Sequence, residues 1–119
     1  MRIDDHPEIT DTIAVGAVCN GRYFGGGMLV APDAAPDDGL FDVVLLRGAS
    51  RAGVIARMTE LYGGAHIAHA SVLVMRGRTV SVTPAVNTST AVRLEVDGEG
   101  GALLPARFSI RPAALLVHV

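Results

Sequence analysis

Short apolar runs alternate with glycine- and proline-bearing breaks along the whole chain, and the runs are rich in Val, Ile, Leu and Thr. Runs of that length and composition predict strands. They fall at Thr12 to Cys19, Gly27 to Ala31, Leu40 to Leu46, Ser71 to Met75, Thr79 to Thr83, Ala91 to Val96, Arg107 to Ile110 and Ala114 to Val119. Polar and apolar positions alternate most cleanly in Thr79-Val80-Ser81-Val82-Thr83 and Val92-Arg93-Leu94-Glu95-Val96. That period of two predicts antiparallel surface strands with one face apolar and the other wet. The expected fold is mainly β, an antiparallel β-sandwich with one short α-helix.

The helix is the one departure from this rhythm. Val54, Ile55, Met58, Leu61 and Tyr62 recur at helical spacing between Ser50, a candidate N-cap, and the Gly63-Gly64 stop. The spacing predicts a helix over residues 51–62. Its apolar stripe is expected to lie on a sheet, with Arg51, Arg57 and Glu60 outward.

At 119 residues, the chain has room for a single domain and no linker is visible. Half the residues are hydrophobic and 18% are charged, enough apolar material for a buried core. All ten cationic side chains are arginines, and they are scattered through a chain of formal charge −2. A nucleic-acid partner is therefore not expected. The absence of lysine removes P-loop, Schiff-base and lysine-base chemistry. Cys19 is the single cysteine, which rules out an internal disulfide and suits a reducing, cytoplasmic setting. The segment at Met1 is acidic and polar, and no apolar run approaches about 18 residues, so no signal peptide or membrane span is expected.

Four segments could carry chemistry. In Asn20-Gly21-Arg22-Tyr23-Phe24-Gly25-Gly26-Gly27, Asn-Gly is the strongest local signal for a tight hairpin turn. The three successive glycines fit either a bulge or the close approach of a ligand or backbone. A phosphate loop is disfavoured, because Met28-Leu29-Val30-Ala31-Pro32 reads as a strand and phosphate loops feed a helix N-terminus. In Ala31 to Asp42, the Asp37-Asp38-Gly39 sequence is either a plain turn or a set of oxygen donors for a hard cation. Asp97-Gly98-Glu99 is a turn between strands, and Glu99 is either a general base or simply hydrated. His66 and His69 lack a third ligand for zinc and read as loop histidines, and Ser71 beside His69 does not make a triad.

Taken in order, Asn20 to Met28, Ala31-Pro32 through Asp37-Asp38-Gly39-Leu40-Phe41-Asp42-Val43, Leu61-Tyr62-Gly63-Gly64-Ala65-His66, Asp97-Gly98-Glu99 and Leu104-Pro105 resemble the C-terminal domain of the diacylglycerol kinase and sphingosine kinase family. Bacterial lipid kinases of the diacylglycerol kinase type are the nearest likeness. The resemblance covers almost the whole chain. It implies a β-sandwich packed on an N-terminal nucleotide-binding domain, with ATP and a lipid hydroxyl meeting between them. The family's Gly-Gly-Asp-Gly-Thr motif is not in this sequence. Residues 1–119 are therefore expected to be the latter portion of a lipid kinase C-terminal domain, incomplete and inactive alone.

Matched by position, the resemblance implies that Glu99 accepts the proton of the lipid hydroxyl. It implies a Mg2+ site built from the Asp38 side chain and the backbone carbonyls of Ala35 and Leu40. ATP is the implied co-substrate, a lipid the implied partner, and peripheral contact with a membrane follows from both. Two other readings stand beside this one. One is a non-catalytic module whose open strand edges pair with a second copy or with a kinase. The other is a nicotinamide-nucleotide kinase relative, against which the Phe24 to Met28 and Asp37 to Val43 stretches favour the lipid branch.

Overall fold

The computed structural model describes residues 1–48, 50–86 and 90–118. Among them run, in chain order, β1 (Arg2–Ile3), β2 (Ile13–Cys19), β3 (Tyr23–Phe24), β4 (Met28–Leu29), β5 (Phe41–Arg47), α1 (Arg51–Gly63), a 3₁₀ turn (Ala65–Ala68), β6 (Val72–Gly77), β7 (Thr79–Val82), β8 (Arg93–Val96), β9 (Glu99–Leu103) and β10 (Ala106–Ser109). The strands form two three-stranded sheets, in the orders β1-β7-β10 and β2-β5-β6, and two hairpins, β3-β4 and β8-β9. All the pairs are antiparallel. The mainly-β, antiparallel architecture with one α-helix is the one expected from the sequence.

The core explains why β5 is the central strand. Its Val43-Val44-Leu45-Leu46 run is apolar at successive positions rather than alternate ones, which requires burial on both faces. Val43 and Leu45 point to one side and join Ile3 and Val80 of the β1-β7-β10 sheet in one cluster of buried side chains. Ile13, Leu73, Met75, Val82 and Phe108 complete that layer. Val44 points to the other side, where Val30, Ala31 and Ala34 cover it with help from Met28, Leu61 and Val72. One face of the sheet thus meets a second sheet, and the other meets the loop between β4 and β5 backed by α1.

The helix starts and stops where the sequence says. Ser50 Oγ accepts from the Gly53 amide at 3.1 Å, and Gly64 closes the C-terminus with φ 72° and its N–H on the Glu60 carbonyl. The face that packs differs from the expected stripe. Ile55, Met58 and Tyr62 are exposed, whereas Val54, Arg57, Glu60 and Leu61 are half-buried. Helical spacing gives the period of an apolar face, but the neighbour that covers it sets its rotation. Here that neighbour is the narrow β4 segment and the 3₁₀ turn, reached by Leu61. Arg57 and Glu60, expected outward, instead pair with each other at 3.4 Å on the covered side.

Three further expectations are corrected. The Ala114 to Val119 strand does not form over 114–118, where Leu115, Leu116 and Val117 stand exposed; Val119 lies outside the described residues. Apolar composition makes a strand only where the backbone lies alongside an edge it can pair with, and Pro112 followed by Ala113 at φ 51° turns the chain, while 114–118 join none of the available edges. The Asn20-Gly21 pair is not the hairpin turn. β2 pairs with β5 rather than β3, and the turn lies at Gly25-Gly26-Gly27, all at positive φ, between β3 and β4. Open space surrounds Gly26 and Gly27, so these glycines supply backbone conformation rather than room for a close neighbour. The strand expected over Gly27 to Ala31 shortens to Met28–Leu29. Val30 and Ala31 leave the ladder and become core.

Candidate functional site

The loop from Ala31 to Leu40 is wound tightly by its own polar groups. The Ala34 amide donates to the Ala31 carbonyl at 3.1 Å and the Asp38 amide to the Ala35 carbonyl at 3.3 Å. Asp38 Oδ1 then accepts from the Leu40 amide at 2.8 Å, the local turn that an Asp two residues before an amide is suited to make. Gly39 completes it with φ 73°. Ala35, Asp38 and Leu40 are therefore gathered in one short turn. Asp37 is exposed and makes no hydrogen bond with another described residue.

The outer oxygen of Asp38 meets Arg76 on β6, which sequence reasoning overlooked. Arg76 bonds Asp38 through one terminal nitrogen, and its Nε lies 3.3 Å from Asp42 Oδ1. Asp42 is 1% exposed, so it is a buried carboxylate that needs compensation. The register supplies it, because Asp42 on β5 stands directly opposite Arg76. Asp42, followed by Asp38, holds the Arg76 guanidinium still more firmly protonated than usual. A charged residue at an otherwise apolar position of the most buried strand was the signal that could have found this pair. Asp42 also borders a cleft of about 220 Å³ whose other walls include Pro32, Val44, Ile67 and Val74.

The donor set of this turn suits a hard cation, since a carboxylate and main-chain carbonyls are the oxygen ligands that Mg2+ takes alongside retained water. Such an ion at Asp38 would share or displace the Arg76 guanidinium. Among the described residues no three His, Cys, Asp or Glu side chains cluster for metal binding, so carbonyls have to contribute.

Glu99 sits on a different element. β8 and β9 are joined through Asp97 and Gly98, with φ 50° and 85°, and Val96 pairs with Glu99 across the turn. Two consecutive positive φ values in a two-residue connection are the geometry for which Asp-Gly is selected. Glu99 is thereby the first residue of β9, beside the turn. Every residue of β9 is exposed, and Glu99 makes no hydrogen bond or ion pair with another described residue. It shares no such contact with Ala35, Asp38 or Leu40.

The remaining candidates have structural partners. His66, expected in a loop, lies in the 3₁₀ turn and is 3% exposed. Its Nε2 bonds the Val30 carbonyl at 2.8 Å, fastening the 3₁₀ turn to the segment after β4. His69 Nδ1 lies 2.8 Å from Ser71 Oγ and accepts from the Ser71 amide at 3.1 Å, a local turn without a third catalytic member. Cys19, opposite Asp42, is pushed up to about 11 by burial, with the Asp42 charge adding to it. Its thiol therefore stays protonated at neutral pH.

Two antiparallel sheets packed face to face, with acidic turns at hairpin and loop tips, define a small β-sandwich domain. Comparison with known proteins is more specific. The model of the YegS C-terminal NAD kinase beta sandwich-like domain matches residues 1–119, and the chain belongs to that family. It is 33% identical over 116 residues to a diacylglycerol kinase of Mycobacterium tuberculosis, covering 97% of this chain and 36% of that protein. It is 34% identical over 109 residues to a probable lipid kinase YegS-like protein of Pseudomonas putida, covering 92% and 33%. A diacylglycerol kinase of Bacillus subtilis is 34% identical over 84 residues, covering 71% and 26%. The chain thus spans about a third of the length of the curated relatives it matches. No helix among the described residues is long and apolar enough to cross a membrane.

Proposed function

We propose that residues 1–119 are the latter portion of the C-terminal domain of an ATP-dependent lipid kinase, which transfers the γ-phosphoryl group to a hydroxyl of diacylglycerol or a related lipid. The observation that carries this reading is a family match over the whole chain, with relatives named as diacylglycerol and lipid kinases. The Gly-Gly-Asp-Gly-Thr motif is not among these residues. A companion nucleotide-binding domain therefore supplies the ATP site, and residues 1–119 alone are inactive.

In this reading Glu99 is the proton acceptor. Its carboxylate is exposed and unengaged by other described residues, at the first position of β9 beside the two-residue turn. As the lipid oxygen forms its bond to the γ-phosphorus, the bond from that phosphorus to the bridging oxygen of ADP breaks, and the hydroxyl proton passes to Glu99. Positioning and charge stabilisation carry most of such a reaction, and a placed base adds a further part. Asp38, with the carbonyls of Ala35 and Leu40, would hold Mg2+, which supplies positive charge and stiffens the turn. Arg76 pairs with the same carboxylate. The setting is cytoplasmic, with the lipid met at a membrane surface. The exposed Tyr23, Phe24, Ile55 and Met58 suit contact with apolar matter there or with the companion domain.

The test is a phosphotransfer assay on the intact kinase. Glu99→Gln lowers kcat by about 10²- to 10⁴-fold, the range for a lost general base, with an unchanged melting temperature because the side chain is exposed. Near-normal turnover would remove Glu99 from the mechanism.

A further inference from the structure

The outer face of the β1-β7-β10 sheet carries a second polar site. In its register Ile3, Val80 and Phe108 lie opposite one another and face the core. The neighbouring row, Arg2, Ser81 and Arg107, must then project from the other face, because successive residues of a strand alternate sides. Two guanidiniums are brought to either side of one hydroxyl, at the close spacing of directly opposed residues. Arg78 and Thr79 line the same concavity, which measures about 510 Å³.

The charges there are mostly unspent. Arg78 and Arg107 form no ion pair with another described residue, and Arg2 only faces Glu8 at 3.6 Å with both side chains largely in solvent. A pair so exposed contributes little and yields readily to a better ligand. Of the two aspartates in the concavity, Asp4 has its oxygens committed to the amides of Arg78 at 2.9 Å and Thr79 at 2.8 Å. The charges of Asp4 and Asp5 disfavour a polyanion, while the three guanidiniums outnumber them and leave a net positive charge for a single anionic group.

We propose that this sheet face binds one phosphate group, with Arg2 and Arg107 as its principal donors, Arg78 assisting and the Ser81 hydroxyl between them. Guanidinium forks match the paired oxygens of a phosphate and form charge-assisted hydrogen bonds to it. A concavity of this volume lies within the range of small-ligand sites. The site is independent of the kinase reading, since it stands on a different sheet from Glu99 and includes neither Asp38 nor its turn.

The experiment follows amide NMR shifts at residues 79–82 and 106–109 of the 119-residue chain, in two arms. One arm titrates inorganic phosphate against chloride at matched ionic strength. The other measures sedimentation with phosphatidylglycerol vesicles against phosphatidylcholine vesicles. Saturable shifts with phosphate assign the site to a soluble phosphate; co-sedimentation with the anionic vesicles alone assigns it to a lipid headgroup. In either case the Arg2→Gln, Arg107→Gln double variant binds at least about tenfold more weakly, the loss expected for removed charge-assisted contacts. Arg107→Lys restores part of it. Arg107→Glu, a single change at an exposed position, provides the same comparison should the double variant not fold. Undiminished binding by the glutamine and glutamate variants, or no response in either arm, overturns the proposal.

Discussion

Asp4 shows how one side chain joins distant parts of the chain. At φ 43°, it turns its carboxylate onto the amides of Arg78 and Thr79, tying the end of β1 to the turn between β6 and β7. These amides hold its carboxyl below the ordinary 3.8, the Arg78 amide first. A depressed carboxyl stabilises the fold fully above its unfolded value and loses that contribution as pH falls through the folded one. Asp4→Asn is therefore expected to melt at a lower temperature than the parent near neutral pH. The two melting curves should converge as pH falls through the depressed folded-state value. Melting across a pH series checks this, and a constant gap would show that the carboxylate's charge is irrelevant. The effect is small, because the group is exposed and water screens it.

At the scale of elements, the β8-β9 hairpin rests on its turn more than on packing. Gly98 adopts φ 85° with nothing within 4 Å of an added Cβ, so a side chain there costs backbone strain and no collision. Gly98→Ala should destabilise by about 1 kcal/mol and loosen the pairing of Val96 with Glu99. Gly21→Ala, also in open space but outside the positive-φ glycines, should be close to neutral. Chemical denaturation of both variants makes the comparison. This turn was legible from Asp-Gly alone, because two positive φ values are a local demand. Asn20-Gly21 carried the same signal and does not form the hairpin. The segment before it pairs with β5, and the three following glycines supply the reversal instead.

For the whole molecule, the two sheets are held together by the layer containing Val43, Leu45, Ile3 and Val80. Leu45 is fully buried at the middle of it, so Leu45→Ala should cost about 2–5 kcal/mol, the lost transfer energy plus an unfilled cavity. Val74→Ala on the neighbouring strand, where the side chain is 41% exposed, should cost much less. A substitution at Leu45 that left the denaturation midpoint unchanged would mean that the sheets do not meet across this layer.

The alternation of apolar and polar positions, the Ser50 and Gly64 caps and the Asp97-Gly98 turn were determined within a few residues of chain. Local conformational preference suffices for such features, and they yielded the antiparallel β class, the helix and the hairpin beneath Glu99. Partners were decided only in three dimensions. Whether 114–118 joined a sheet, which side of α1 was covered, and that Arg76 would meet both Asp38 and Asp42 depended on which surfaces came to lie together. A strand edge, a helix face and a buried charge each require a complement. That complement is supplied from far along the chain, by burial and register, and no local pattern names it.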